Sequence, residues 1–318
     1  MDPAQVREAV RESRLFARDR PALAMISAGR DSTCLLDVAV ALLGAGAVAA
    51  LHVNYGLREG AGADEVRCRE LCGELGVELQ VLKAPPSPGE GVNLQAWARE
   101  LRYGEAERIA QERDALIATG HTASDQVETI LYRLAASPGR RALLGMPAAE
   151  GRLVRPLLAL SREQTAAYCR ARGLAFNDDA SNEDLRFARA RVRHRLVPAL
   201  REVHPAAESN VLRTALLLRE ETELLEGLVE AELEGPPARD AVELARLKEM
   251  PPALARMVVV RLAEQAAGTY VPQAGERVAE LLELARRGGR AELHVGGRAG
   301  AVLEDGVLRM VRLPPRAR

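Results

Sequence analysis

Six consecutive residues, Ser27-Ala28-Gly29-Arg30-Asp31-Ser32, lie between a short apolar run and an amphipathic stretch. A turn from a buried strand into a helix aims successive backbone N–H groups and the positive end of the helix dipole at one point, a geometry that suits a pyrophosphate. Ser27 and Ser32 add hydroxyl donors, and Asp31 would repel phosphate unless a cation stood between them, so its presence suggests Mg²⁺. The hexapeptide also reads as an ordinary helix cap, a position that Asp and Ser both favour. Further along, Asp125 and Glu128 project from one face of a helix's first turn, where two carboxylates can hold an ammonium group or simply offset the N-terminal dipole. His121, just before them, has the alternative of being a satisfied histidine at a strand end. Arginines supply the opposite charge. Arg99 and Arg102 share a helix face and Arg189 and Arg193 are a turn apart, so each pair either meets phosphate or forms a solvated basic face.

These residues need a scaffold, and the first half of the chain has the rhythm of one. Apolar runs at 22–28, 48–55, 78–84, 115–121 and 153–159 alternate with amphipathic stretches at about 32–43, 62–75, 92–112, 125–136 and 161–173. That alternation predicts an α/β domain, a parallel sheet wrapped by helices. In such sheets ligands bind beyond the carboxyl ends of the strands, where loops at 27–32, 54–58 and 121–125 converge. From about 205 the pattern turns long, helical and rich in Glu and Leu, broken by 234–240 and followed by a helix through 272–287. The last stretch alternates like a hairpin or meander. The reading is a catalytic domain at 1–207 and, at 208–318, a linker helix leading into a smaller, mainly helical C-terminal domain ending in a short β element.

Composition narrows the chemistry. Among 318 residues the only lysines are Lys83 and Lys248, so a phosphate loop of the Gly-Lys-Ser/Thr kind is excluded. Cys34, Cys68, Cys72 and Cys169 show no two-residue spacing of a metal knuckle; Cys68 and Cys72, one turn apart, read as reduced core thiols. A net charge of −1 gives no global sign of nucleic-acid binding, yet six arginines crowd 186–201 and seven glutamates crowd 220–234, which leaves a local polyanion site open. No apolar run approaches a membrane span, and the acidic start lacks a secretory pattern, which implies a cytoplasmic location.

Taken in order, the motifs resemble the N-type ATP pyrophosphatase (PP-loop) superfamily, whose signature is Ser-Gly-Gly-x-Asp-Ser, and within it the tRNA(Ile)-lysidine synthetases. His52-Val53-Asn54-Tyr55-Gly56-Leu57-Arg58 is similar to their His-x-Asn-His-Gly-Leu-Arg segment. The helix from Asn93 to Tyr103 matches Asn-x-Glu-x-x-Ala-Arg-x-x-Arg-Tyr, and 120–129 matches Gly-His-x-x-Asp-Asp-Gln-x-Glu-Thr. Arg155-Pro156-Leu157-Leu158, Asn177 to Asn182 and Arg189 to His194 follow in the family's order, and the C-terminal β pattern is similar to the family's small β element. Ala28, Tyr55, Gln95, Ser124 and Ala190 depart from the family pattern; at Ala28 a Cβ resists the positive φ open to glycine.

The resemblance implies an ATP-dependent carbon-nitrogen ligase. The C2 oxygen of the wobble cytidine of isoleucine tRNA with a CAU anticodon is adenylated, pyrophosphate leaves, and the ε-amine of free L-lysine displaces AMP. It assigns ATP to Ser27, Ala28, Gly29, Arg30, Asp31, Ser32 and Asn54, Mg²⁺ to Asp31, lysine to Asp125 and Glu128, and tRNA to Arg189 and Arg193. Asp31, Arg102, Asp125 and Arg193 are the catalytic set, with no membrane role and a homodimer left open. Two alternatives stand beside this. One is a tRNA thiolase of the same fold, whose iron-sulfur type wants Cys-x-x-Cys pairs. The other is a tRNA- or nucleotide-binding relative with impaired catalysis.

Overall fold

The computed structural model describes residues 2–16, 19–57, 60–86, 89, 92–137, 139–177, 185–235, 237 and 239–314. Arg58 and the stretch 178–182 of the motifs above lie outside the described residues. The chain forms two compact units, Met1–Leu216 and Leu217–Arg318.

In the first unit the strands are β1 (Ala22–Ile26), β2 (Val48–Asn54), β3 (Glu78–Lys83), β4 (Leu116–Thr119), β5 (Ala149–Glu150) and β6 (Leu153–Val154). They form one sheet in the order β3-β2-β1-β4-β6-β5, parallel throughout except for the β5–β6 pair. Its helices are α1 (Pro3–Glu12), α2 (Arg30–Leu43), α3 (Ala61–Leu75), α4 (Leu94–Glu112), α5 (Ala123–Ala136), α6 (Arg140–Leu143), α7 (Arg162–Ala171), α8 (Ala188–Arg191) and α9 (Val197–Val203), and α10 (Ala207–Leu233) begins in it. Every residue of β1 is buried because it sits mid-sheet with both faces covered. The two-residue period sends Ala24 and Ile26 to one side, with Leu35 and Leu36 of α2, Cys68 and Leu71 of α3 and Tyr168 of α7. Leu23 and Met25 go to the other, with Ala106 and Ile109 of α4. All four cysteines are free and buried, so they serve as core thiols.

The strand order reverses at β1. The chain steps from β1 to β2 and β3 on one side, then crosses to place β4 on the other. The loops leaving β1 and β4 therefore diverge from a shared crevice, the topological switch point where open α/β sheets bind ligands. One sequence expectation needs correction. The run 153–159 is a strand only at Leu153–Val154, since Pro156 has no N–H to give a ladder and the segment 156–159 turns instead.

The first unit continues past residue 207 into α10, as far as Leu216. Val211 and Leu212, in the first turns of α10, pack on Val127, Leu131, Val192 and Val197.

The second unit holds β7 (Ala241–Glu243), α11 (Leu244–Glu249), α12 (Pro252–Ala267), α13 (Val278–Arg287), β8 (Ala291–Gly296), β9 (Ala299–Glu304) and β10 (Val307–Arg312). The terminal meander is β8-β9-β10, and β7 joins its far edge to give the antiparallel order β7-β10-β9-β8. Val258, Val259 and Leu262 of α12 share a core with Leu303 and Leu308 of the sheet. Among the described residues, no helix is long and apolar enough to cross a membrane.

Candidate active site at the switch point

The loop after β1 enters α2 through Gly29, which caps the helix with extended backbone and no side-chain hydrogen bond. By contrast, Thr122 and Ser161 close the starts of α5 and α7 with reciprocal capping boxes. The first turn of α2 thus keeps N–H donors for an anion, as the pyrophosphate reading requires. Ser32 holds the loop from within: its hydroxyl donates to the Gly29 carbonyl at 2.9 Å and accepts the Ser27 N–H at 3.1 Å. Ala28 adopts φ of +60° and is 1% exposed, while its carbonyl accepts the Asn177 N–H at 2.9 Å. The family glycine is therefore replaced at a left-handed position, where a Cβ crowds the following carbonyl.

Gly120 explains the Gly-His pair after β4. A Cβ there would lie 3.0 Å from both the carbonyl carbon and the oxygen of Asp31 and 3.1 Å from the Ser32 nitrogen. Only a residue without a side chain lets the two loops close on each other. A cavity of about 390 Å³ forms between them, bounded by Ser27, Gly29, Arg30, Asp31, Ser32, Gly120 and His121, with Met25, Leu51 and Val53 as an apolar floor. A second chamber of about 660 Å³ shares Ser27, Tyr55, His121, Asp125 and Arg193 with it and reaches Asn54, Gln95, Glu128, Phe187 and Arg189.

The charged groups form one connected set. Asp125 Oδ2 accepts the N–H and hydroxyl of Thr122 at 2.9 and 2.8 Å, the capping role, which leaves Oδ1 to Arg162 Nη2 at 2.7 Å. Glu128 takes a two-pronged contact from Arg193, Nε to Oε1 at 2.7 Å and Nη2 to Oε2 at 3.0 Å, and a third from Arg162 Nη1 at 3.1 Å. Burial works against the charge of Asp125, but the Arg162 guanidinium and the Thr122 donors hold its carboxyl below the usual range. Asp31 goes the other way: burial pushes its pKa up, against the opposing Thr165 hydroxyl and Arg162. Burial also lowers His121 to about 4, with Arg155, Arg102 and Arg189 adding to the effect and Asp125 opposing it. His121, hydrogen-bonded to the Thr119 hydroxyl at 2.9 Å, is neutral at pH 7.

Of the residues singled out in the sequence, Ser27, Gly29, Arg30, Asp31, Ser32, Arg102, Asp125 and Arg193 border the smaller cavity. Arg102 Nε is buried without a partner among the described residues, and its guanidinium lies 5.3 Å from the centre of the Tyr103 ring. Asn54 borders only the larger chamber; its side chain donates to Glu65 at 2.9 Å and accepts the Gly56 N–H at 3.0 Å, so it fixes the loop after β2. Arg189 borders that chamber too and donates to the Thr129 hydroxyl at 3.3 Å. Tyr55, in place of the family histidine, donates to the Ala98 carbonyl at 3.0 Å and packs edge-on against Trp97. Ser124, in place of an aspartate, turns away from both cavities and accepts the backbone N–H of Arg162 at 3.2 Å.

Sequence reasoning missed Arg162. The available signal was its place: it opens α7, where the helix dipole disfavours a cation, so an arginine there needs carboxylate partners elsewhere.

The family model described as PP-loop domain matches residues 4–200. The tRNA(Ile)-lysidine synthase of Gloeobacter violaceus is 36% identical, the match covering 80% of this chain and 82% of that protein. The chain belongs to the tRNA(Ile)-lysidine synthase family. The synthase of Thermus thermophilus is 38% identical over all of this chain and 61% of its own length, and that of Pseudomonas fluorescens is 39% identical over 65% of this chain and 48% of its own. The chain spans about half the length of the first curated relatives that it matches. Among solved structures, the U34-tRNA thiolase NcsA from Methanococcus maripaludis with its [4Fe-4S] cluster aligns with a TM-score of 0.58 at 16% identity, covering 68% of this chain and 78% of that one, a likeness of fold.

Proposed function

We propose that this chain ligates free L-lysine to C2 of the wobble cytidine of an isoleucine tRNA with a CAU anticodon, by way of an adenylated tRNA. The observation that carries this reading is the meeting of an uncapped phosphate loop, a carboxylate pair and two arginines at one switch point. The α2 amides with Ser27 and Ser32 receive the nucleotide phosphates, while Arg102 and Arg193 meet the charge that develops as the cytidine oxygen attacks the α-phosphorus and pyrophosphate leaves. Asp125 and Glu128 receive the lysine ammonium, whose ε-nitrogen, once deprotonated, displaces AMP. Neutral His121 adds no cation that would repel an incoming amine.

Magnesium fits as an ion carried in with the nucleotide. No cluster of three or more metal-binding side chains occurs among the described residues, and Mg²⁺ with phosphates commonly uses one or two carboxylates. Asp31 is such a carboxylate, buried enough that its charge is disfavoured without a cation. Bound there, the ion would neutralise phosphate charge.

The thiolase alternative lacks support in the side chains, since all four cysteines are buried in helices and none form a Cys-x-x-Cys pair. Multiple-turnover pyrophosphate release tests the proposal. It should require ATP, tRNA and lysine together; turnover without lysine, or with a sulfur donor in its place, would reject it.

A further inference from the structure

Asp31 stands in the first turn of α2, where the loop after β1 ends, whereas Asp125 and Glu128 come from α5. Arg162, from α7, touches all three. Its Nη2 lies 2.7 Å from Asp125, its Nη1 3.1 Å from Glu128 and its Nε 3.8 Å from Asp31, and the side chain is 14% exposed. Among the described ion pairs no other cation joins Asp31 to the α5 carboxylates: Arg30 pairs with Asp31 alone, and Arg193 with Asp125 and Glu128 alone. The backbone fixes the bridge. Ser124 accepts the Arg162 N–H, and Thr165, three residues on, donates to Asp31. One turn of α7 thus ties the nucleotide loop to the start of α5.

From this bridge we infer that Arg162 is a positioning residue that couples nucleotide binding to amine binding; the inference rests on the lysine-ligase reading above. An ammonium arriving at Asp125 and Glu128 competes with Arg162 for oxygens that it already occupies. The displaced guanidinium keeps its root on α7 and has one remaining carboxylate in reach, Asp31, beside the phosphate loop. There it adds positive charge where the triphosphate must bind. Conversely, phosphates that draw Arg162 toward the loop uncover the α5 carboxylates for the amine. Each ligand therefore lowers the cost of the other, and by linkage the two effects are equal in size.

The bridge also accounts for Ser124. A hydroxyl can accept the Arg162 N–H without adding a fourth carboxylate beside the three that Arg162 already meets. The departure from the family's paired aspartates thus falls on the bridge and on neither cavity wall.

The test is the dissociation constant of a non-hydrolysable ATP analogue, measured by calorimetry with and without saturating L-lysine. In the wild-type chain lysine should tighten the analogue by ~5-fold or more, the lower end of ordinary coupling. Arg162→Ala should remove that dependence. Arg162→Lys keeps a cation but cannot fork between carboxylates, so it too should show equal analogue affinity with and without lysine, at a thermal midpoint close to wild type. Because it decides the matter if the alanine variant does not fold, the lysine variant is the essential arm. A merely structural role would lower the midpoint and leave the coupling ratio unchanged. Wild-type coupling retained in folded Arg162→Lys overturns the inference, as does a wild type that incorporates lysine into tRNA yet binds the analogue equally with and without it. Lysine incorporation by the wild type, measured on the same preparation, decides the underlying activity separately.

Discussion

Ala28 carries a conflict between side chain and backbone at the centre of the phosphate loop. An L-residue held at φ of +60° costs about 1–2 kcal/mol, and the greater freedom of glycine in the unfolded chain takes back about 0.4–1 kcal/mol. Ala28→Gly should therefore stabilise the protein by up to about 1.6 kcal/mol, read as a higher thermal midpoint; a lower midpoint would show that the loop is unstrained. Asp125 offers a different test, because its two oxygens have separate partners. Asp125→Asn keeps an oxygen for the Thr122 cap but removes the charge facing Arg162. The lysine KM should rise by the loss of a charge-assisted contact, about 1.5–3 kcal/mol, with a much smaller rise in the ATP KM. A change confined to ATP would place this carboxylate with the metal and nucleotide.

At the scale of elements, the site depends on how closely the loop after β4 approaches the start of α2. Gly120→Ala would set a methyl group 3.0 Å from the Asp31 carbonyl, and neither backbone can yield without shifting α2 or β4. Overpacking of this kind costs about 1–3 kcal/mol. We expect a lowered thermal midpoint together with a weakened ATP Kd; full ATP affinity in the folded variant would mean that the loops do not have to touch.

The same elements show what a sequence can reveal. Strands at 22–26, 48–54 and 116–119 were legible because a parallel sheet buried on both faces needs largely apolar runs, while the half-buried edge strand at 78–83 showed only Leu79, Val81 and Leu82 between polar residues; each is followed by a helix. From that alternation the crevice at the switch point followed. β7, three residues long, and the two-residue β5 carry too little pattern to be read, and β6 was read at the right place but too long. Arg162 was hidden for another reason: its three partners lie 131, 37 and 34 positions earlier in the chain, so only the folded sheet brings them together. The roles of Asn54 and Ser124 were equally illegible, since in both cases the side chain turns to a neighbouring backbone.

Across the whole molecule, charge is distributed unevenly. Arg286, Arg290 and Arg309 of the second unit pair with Glu283, Glu292 and Asp240, all exposed, so these contacts are weak and available for exchange with phosphate. We expect the second unit to grip tRNA through such arginines without reading its sequence. A chain ending at Leu216, which retains the packing of Val211 and Leu212, should keep ATP affinity while tRNA binding weakens and loses part of its salt dependence. An unchanged salt slope in that shortened chain would remove the second unit from tRNA binding.

The activity itself is decided most directly by incorporation of labelled L-lysine into a CAU-anticodon isoleucine tRNA transcript in the presence of ATP and magnesium, with methionine tRNA as the control. Label should enter the isoleucine transcript only when ATP is present, and should be absent from the methionine tRNA. No label in either transcript, from a folded protein that binds ATP, would contradict the proposed activity.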